Sequence, residues 1–227
     1  MRVRVVSVLG LTAVTALSVP ACSTTSHTTA SRSALVAPTV ARAGSETPLS
    51  SRTLEPLLLD EGDLGSDYTR KNERPTHYDD VTVLGCPALD ALGGKAATGG
   101  SLDIPQKAKA TFTYADGSSE VSEELYSDST NKLSDSIGRI FDAMTVCPKY
   151  QVLTGSTAID ISTQNATAPR FGDEQWSQLL TFSTSGRDSV VKQSAIRIGT
   201  ILVVASGSPA LVDRHVSKAL SKVASAL

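Results

Sequence analysis

The sequence predicts an α+β fold: one domain in which an antiparallel sheet, ending in a C-terminal meander, packs against helices. Three observations carry this prediction. Two long segments have helical periodicity, three apolar segments near the C-terminus are joined by short turns, and an Asp-Gly pair marks a hairpin farther upstream. Hairpin connections give antiparallel pairing between neighbouring strands, and the helices are then expected to pack against that sheet.

The first 21 residues have the pattern of a bacterial export signal. Arg2 and Arg4 precede an uncharged segment, Val5–Val19, which is short of the about 20 apolar residues that a membrane-spanning helix needs. The segment ends in Val-Pro-Ala before Cys22, which resembles the lipobox of bacterial lipoproteins, where a diacylglycerol is attached to the cysteine. We therefore expect residues 1–21 to be a lipoprotein signal peptide and Cys22 to carry the lipid.

Two other fates of the N-terminus stay open. Val19 and Ala21 also suit an ordinary signal peptidase, so plain secretion is the first alternative and an uncleaved anchor is the second. Residues 22–52 are rich in Ser, Thr and Ala and contain no aromatic residue, a composition typical of a flexible tether. We expect the folded domain, residues 53–227, to be held at the cell membrane on its extracytoplasmic side.

The first half of the domain predicts short elements. Residues 54–65 form an apolar segment typical of a short helix that ends in an acidic turn. Pro87 and Gly93 fit the start and the end of a second short helix. Asp116-Gly117 lies between two strand-like segments and predicts a β-hairpin.

The second half predicts two long helices around a meander. Residues 128–147 form the clearest helix, because its apolar residues fall on one face: Leu133, Ile137, Ile140, Phe141 and Met144. Strands are predicted at 174–182, 189–198 and 201–206, the last being the most apolar and therefore the most central. Ser208 and Pro209 then open a final helix as N-cap and first residue. Its inward face is predicted to be Val212, Val216, Ala219, Leu220, Val223 and Leu227.

The chain has three cysteines, of which one is expected to carry a lipid and two to form a disulfide. If Cys22 is lipidated, Cys86 and Cys147 remain as an even pair in an oxidising compartment, where a disulfide can persist. Cys147 ends the predicted long helix on its inward side, and Cys86 leads another helix, so the two thiols can meet. We predict a Cys86–Cys147 disulfide, and three unrelated thiols are the alternative.

The sequence shows no constellation typical of catalysis. His215 lies beside Asp213, but no nucleophile motif accompanies the pair, and we expect this histidine to be half packed against the sheet. Glu120, Glu123 and Glu124 lie in a predicted strand, and we expect them to be mostly solvent-exposed. We expect no catalytic residue, metal site or cofactor. The net charge of −2 and the lack of a basic stripe argue against nucleic acid as a partner.

The domain resembles the PknH-like extracellular domain family. The resemblance lies in LLLDEGDLGSDY at 57–68, the Cys86–Cys147 spacing, the lone Trp176 before a strand, and RIGTILVVA at 197–205 with the amphipathic helix after it. That family includes the sensor portion of an actinobacterial Ser/Thr kinase and many free-standing lipoproteins. The resemblance implies one α+β domain with a cleft for an unidentified extracellular ligand.

This chain departs from the family in two ways. Better-known members carry a second cysteine pair, whose absence here is expected to leave the stretch after Tyr150 less constrained. The chain also has no kinase and no predicted spanning helix, so any signal would have to pass through a partner.

Three functional hypotheses follow from these observations. The first is a membrane-anchored, non-catalytic domain that binds or senses a small molecule, a cell-wall component or a surface protein, with Trp176 and Tyr68 as candidate ligand contacts. Trp176 could instead cap the core. The second is a carrier of a lipid or other apolar molecule, which is supported by a weaker resemblance to lipid-carrying lipoproteins. It predicts a closed cavity lined by Leu180, Phe182, Ile198 and Leu202. The third is a secreted hydrolase centred on His215.

Overall fold

In the computed structural model of the protein, the described residues are 47–73, 80–115, 117–167 and 170–227. The predicted signal peptide, Cys22 and most of the predicted tether therefore lie outside the described residues, as does Asp116 of the predicted hairpin turn. Within the described ranges, no helix combines the length and the hydropathy needed to cross a bilayer.

The N-terminal segment of the domain forms two short helices where one was predicted. Helix α1 (Ser51–Leu54) continues into a 3-10 turn, and α2 (Glu61–Leu64) follows after a break. The break has a local cause, because Asp60 begins α2 through a reciprocal capping box with Asp63. Contacts with the sheet also occur before residue 53, since the Leu49 N–H donates to the Ser127 hydroxyl at 2.8 Å.

Nine strands form one antiparallel sheet. In chain order they are β1 (Tyr68–Lys71), β2 (Val81–Leu84), β3 (Lys107–Tyr114), β4 (Ser119–Ser127), β5 (Lys149–Thr154), β6 (Thr157–Asn165), β7 (Glu174–Thr184), β8 (Arg187–Ile198) and β9 (Ile201–Gly207). Their order across the sheet is β1-β3-β4-β9-β8-β7-β6-β5-β2. The predicted β3–β4 hairpin and the β7–β8–β9 meander are confirmed, and β9 is an interior strand paired on both sides.

The two long helices cover opposite faces of the sheet. They are α5 (Thr130–Val146) and α6 (Pro209–Ala224), and two short helices, α3 (Pro87–Asp90) and α4 (Gly94–Ala97), precede them. Alternate residues of β9 belong to different core clusters: Ile201 and Val203 pack with α6, whereas Leu202 and Val204 pack with α5. The predicted inward faces of both helices are confirmed, with Ile140 and Leu227 only half-buried.

Four strands were not predicted: β1, β2, β5 and β6. The first two are four residues long and form the edges of the sheet. The stretch after Tyr150, expected to be less constrained, is held by continuous pairing of β5 with β6 and of β6 with β7. Backbone pairing therefore supplies the restraint that a second disulfide was expected to supply.

The predicted disulfide between Cys86 and Cys147 is present, with its Cα atoms 5.6 Å apart. Cys86 is the N-cap of α3 and Cys147 is the C-cap of α5, as their positions in the sequence indicated. Tyr150 packs in the same core cluster, and its hydroxyl donates to the Ala97 carbonyl at 2.6 Å. The disulfide thus joins α3 to α5, and the Tyr150 hydrogen bond holds α4 to β5 beside them.

Candidate functional site

An open groove lies where β9 ends between two longer hairpins. Strands β4 and β8 flank β9 as far as Gly207, after which the chain turns into α6. The β3–β4 and β7–β8 hairpins continue past that point and leave between them a groove of about 1090 Å³, which we call the hairpin groove. Its lining is dominated by small polar side chains, including Thr111, Ser119, Ser122, Ser189, Ser206 and Ser208.

Gly207 forms the floor of the hairpin groove. Its φ of 140° lies in the region that favours glycine, and a Cβ atom there would come within 2.2 Å of the Glu120 carbonyl oxygen. The next residue, Ser208, donates its N–H to the same carbonyl at 2.9 Å. Glycine at this position therefore lets β9 leave the sheet while its chain still touches β4.

The charged side chains of the groove are paired with one another. Lys71 Nζ lies 2.5 Å from Glu120 Oε1. Lys109 Nζ lies 3.0 Å from Glu124 Oε1 and 3.7 Å from Glu73 Oε2. Because the charges are balanced within the site, the groove favours a polar ligand over a polyanion or a polycation.

A smaller cavity of about 70 Å³ adjoins the inner end of the groove and shares Lys109, Ser122 and Ser206 as walls. The Tyr126 hydroxyl donates to Glu124 Oε2 here and accepts from the Leu102 N–H at 2.9 Å. Burial, with the nearby Glu124 carboxylate, raises the pKa of Tyr126 above its ordinary value, so its hydroxyl stays neutral. The wall of this inner cavity therefore contains polar atoms held in fixed positions.

Glu123 and Glu124 were expected to be mostly solvent-exposed, and this expectation is wrong. Glu123 is 3% exposed and Glu124 is 8% exposed. In β4, Glu123 alternates with Val121 and Leu125, so it points into the core under α6, whereas Glu124 points to the opposite face. The alternation with two apolar residues is the signal that could have identified Glu123 as buried.

Glu123 is an incompletely paired buried carboxyl group. Its Oε2 accepts from the Leu59 N–H at 2.7 Å, while its Oε1 has no partner among the described residues. Burial raises the pKa of Glu123 to about 7. Beside it is a cavity of about 10 Å³, also lined by His215, which has the size for one water molecule.

His215 does not form the pair that a hydrolase centred on it would need. Its Nε2 lies 2.6 Å from the Tyr68 hydroxyl, and Asp213 instead contacts Lys192 Nζ at 2.5 Å. Burial, with the nearby Arg214, lowers the pKa of His215, so its imidazole is neutral at physiological pH. The arrangement is that of a packed core histidine.

The two predicted ligand contacts lie on opposite faces of the sheet and outside the hairpin groove. Tyr68 is buried under α6, in hydrogen-bond distance of His215. Trp176 is half-buried on the α5 face, with its ring centroid 6.4 Å from that of Phe141. Their part in ligand binding stays a prediction, and the structure brings neither of them to the groove.

The four residues expected to line a carrier cavity lie in three different core clusters. Leu180 and Phe182 pack near the disulfide, Ile198 packs on the α6 side, and Leu202 packs under α5. They cannot face one shared cavity. The described residues also contain no group of three or more His, Cys, Asp and Glu side chains arranged to hold a metal ion.

Comparison with known proteins identifies a fold and no sequence family. No protein-family model and no curated protein sequence matches the chain. Among solved structures, the chain is similar to the extracellular domain of PknH from Mycobacterium tuberculosis, with a TM-score of 0.58 and 11% sequence identity. The match covers 79% of this chain and 99% of that domain. The chain therefore shares the fold of the PknH extracellular domain.

Proposed function

We propose that this chain is an exported lipoprotein whose α+β domain is a non-catalytic binding or sensing domain on the extracytoplasmic side of the cell membrane. The hairpin groove is its ligand site. The observation that carries this proposal is an open, polar groove whose charges are paired internally, in a fold shared with the extracellular domain of PknH.

The geometry favours binding over chemistry. The groove holds hydroxyl groups and paired charges, and its lysines are engaged by carboxylates. Among the described residues the only histidine is His215, which is buried beneath α6 on the other face of the sheet. Such a site can orient a polar ligand through hydrogen bonds while its side chains remain in their resting protonation states.

The location rests on the sequence. The apolar leader and the Val-Pro-Ala-Cys motif support export and lipidation at Cys22. The Cys86–Cys147 disulfide is consistent with an oxidising compartment. A bound ligand would be reported to a partner protein or retained at the surface.

The ligand site is tested by native mass spectrometry of the full chain extracted in mild detergent from the membranes of the cells that produce it. We expect a non-covalent ligand mass on the unaltered protein. Ser189→Trp fills the groove from the exposed start of β8 and should remove that mass. Thr82→Trp places the same side chain on an exposed position of edge strand β2 and should keep it. Retention of the ligand by Ser189→Trp would show that the groove is not the site.

The anchor is tested separately by fractionation of the producing cells. We expect the unaltered chain in the membrane fraction and the Cys22→Ser variant in the medium, because an acyl chain is what holds the mature protein to the bilayer. If the unaltered chain and the Cys22→Ser variant are both found in the medium, the protein is plainly secreted. If both stay in the membrane fraction, the leader is uncleaved.

A further inference from the structure

One strand of the hairpin groove has a free backbone edge. Strand β8 starts at Arg187, but its pairing with β9 reaches only from Ile198 to Lys192, opposite Gly207. The five residues before Lys192 pair with β7 on one side, and no described residue pairs with their other side. Three of them line the groove: Ser189, Val190 and Val191.

The hairpin turns determine which backbone groups are free. Thr184 pairs with Arg187 across a two-residue turn, and Ile198 pairs with Ile201 across another. The residues that flank a two-residue turn form a hydrogen-bonded pair, and bonding alternates along an antiparallel ladder. Odd-numbered residues of β8 therefore bond to β7, and even-numbered residues bond toward β9.

Two residues consequently point into the groove backbone groups that pair with no described residue. Asp188 and Val190 each direct an N–H and a C=O to the side that β9 has vacated. The same alternation in β4 predicts that the backbone groups of the even-numbered Glu120 point toward β9. This prediction agrees with the structure, in which the Glu120 carbonyl accepts from the Ser208 N–H. Both Asp188 and Val190 are exposed.

We propose that the hairpin groove takes up an extended polypeptide segment, which pairs as an added strand with the free edge of β8 in line with β9. This inference rests on the proposed function of the groove as a ligand site, and it names the class of ligand. Backbone groups that repeat every second residue, about 7 Å apart, are matched by another β-strand. Strands β4 and β8 are two strand spacings apart at Gly207, roughly 10 Å, which is the width that one inserted strand needs.

The residues that line the hairpin groove indicate which side chains an added strand could carry. Ser189 of β8 lies beside the positions that β9 has vacated, and the adjoining part of the groove is lined by further hydroxyl groups, including that of Ser206. The lysines are already neutralised by carboxylates, as in the Lys71–Glu120 pair. The segment that fits best is therefore uncharged, with short polar side chains on the side that faces the sheet.

The test uses proline at the free edge. Val190→Pro removes the one N–H that Val190 offers to the groove, and that N–H takes no part in pairing with β7, so the β7–β8 ladder is kept. Val190→Thr is the matched control, because it changes the side chain and keeps the N–H. Both variants are prepared as the full chain in detergent, with circular dichroism and thermal unfolding to show that they fold.

The probe is a set of fluorescein-labelled synthetic peptides, selected on the immobilised unaltered chain from a random peptide library. We expect peptides that bind the unaltered chain and the Val190→Thr variant with similar affinity, measured by fluorescence anisotropy. Val190→Pro should weaken their binding about tenfold or more, since it removes one ladder hydrogen bond and crowds its neighbour.

A second measurement does not depend on the folding of a variant. Each backbone amide of a selected peptide is methylated in turn, and binding to the unaltered chain is measured. Strand addition predicts loss at alternate positions, with a period of two residues. On the protein, the amides of Asp188 and Val190 should become protected from hydrogen exchange when the peptide binds.

The inference is overturned if methylation shows no alternation, if the Asp188 and Val190 amides stay unprotected, or if no peptide is selected. Its failure can be distinguished from failure of the groove itself. If Ser189→Trp removes the co-purifying ligand while Val190→Pro leaves it in place, the groove is the site and its ligand is not an added strand. If neither variant affects the ligand, both proposals are wrong.

Discussion

Replacing the buried Glu123 with glutamine should change how the stability of the domain depends on pH. The carboxyl group is 3% exposed, and burial raises its pKa to about 7 from an ordinary value of 4.5. Between these two values the folded protein keeps a proton that the unfolded chain has already released. The group therefore contributes stability below about pH 4.5, and this contribution is lost as the pH rises through about 7.

The size of the effect follows from the same two values. A pKa raised from 4.5 to about 7 means that the unfolding free energy is about 3 kcal/mol lower when Glu123 is ionised than when it is protonated. Glutamine keeps an oxygen for the Leu59 N–H and never ionises. The difference in unfolding free energy between Glu123→Gln and the unaltered protein should shift in favour of the variant by about 3 kcal/mol between about pH 4.5 and pH 8.

The assay is urea denaturation followed by the fluorescence of Trp176, the only tryptophan of the chain. Glu120→Gln serves as the control, because Glu120 lies on the same strand with a half-exposed side chain paired with Lys71. The difference in unfolding free energy between Glu120→Gln and the unaltered protein should change by less than about 1 kcal/mol over the same pH range. A constant difference between Glu123→Gln and the unaltered protein at every pH would refute the buried, ionisable carboxyl group described above.

The ion pair of Asp63 and Lys222 affects stability in a different pH window. The Lys222 ammonium holds the pKa of Asp63 below its ordinary value of 3.8. A carboxyl group of this kind contributes stability above its ordinary pKa, and that stability is lost only as the pH falls lower. The range from about pH 4.5 to pH 8 therefore isolates Glu123 from the Asp63–Lys222 pair.

Three further changes test the packing. Replacing both Cys86 and Cys147 with alanine should lower the unfolding free energy by about 4 kcal/mol, measured by urea denaturation without reductant; a loss below about 1 kcal/mol would mean that the crosslink restrains little. Gly155→Ala should lower the unfolding free energy by about 1 kcal/mol, because Gly155 has a positive φ, and Gly207→Ala should lower it clearly more. The reason is that a Cβ at Gly207 would also clash with backbone atoms, whereas one at Gly155 would not. Equal thermal midpoints for the two variants would contradict this geometry. Ile137→Ala should cost about 2–5 kcal/mol, and a neutral result would place this fully buried side chain outside the core.

The parts of the fold that could be predicted are those with long, regular patterns. Helix α5 and helix α6 each repeat their apolar residues over four turns, and this period is visible whatever the surroundings are. The β7–β9 meander has apolar strands separated by glycine-containing turns. The cysteine pair was predictable because both cysteines lie at helix ends. Cys147 ends α5 on its inward side, and Cys86 immediately precedes the start of α3.

The remaining features depend on register and on neighbours. The edge strands β1 and β2 are each four residues long, too short to show a period, and they form because β3 and β5 present a free edge to them. The hairpin groove arises because two hairpins extend beyond Gly207, and that mismatch of strand lengths appears only once the sheet is paired. The candidate ligand contacts Tyr68 and Trp176 were chosen as aromatic residues, whereas the groove is built from small polar ones.

The most direct test of the ligand site is hydrogen exchange on the full chain, compared before and after removal of its co-purifying ligand. The proposed site predicts that the ligand protects backbone amides at the walls of the hairpin groove, in residues 119–122 and 188–191, and at Gly207. Protection confined to the surroundings of Trp176 or Tyr68, with the groove amides unchanged, would contradict it.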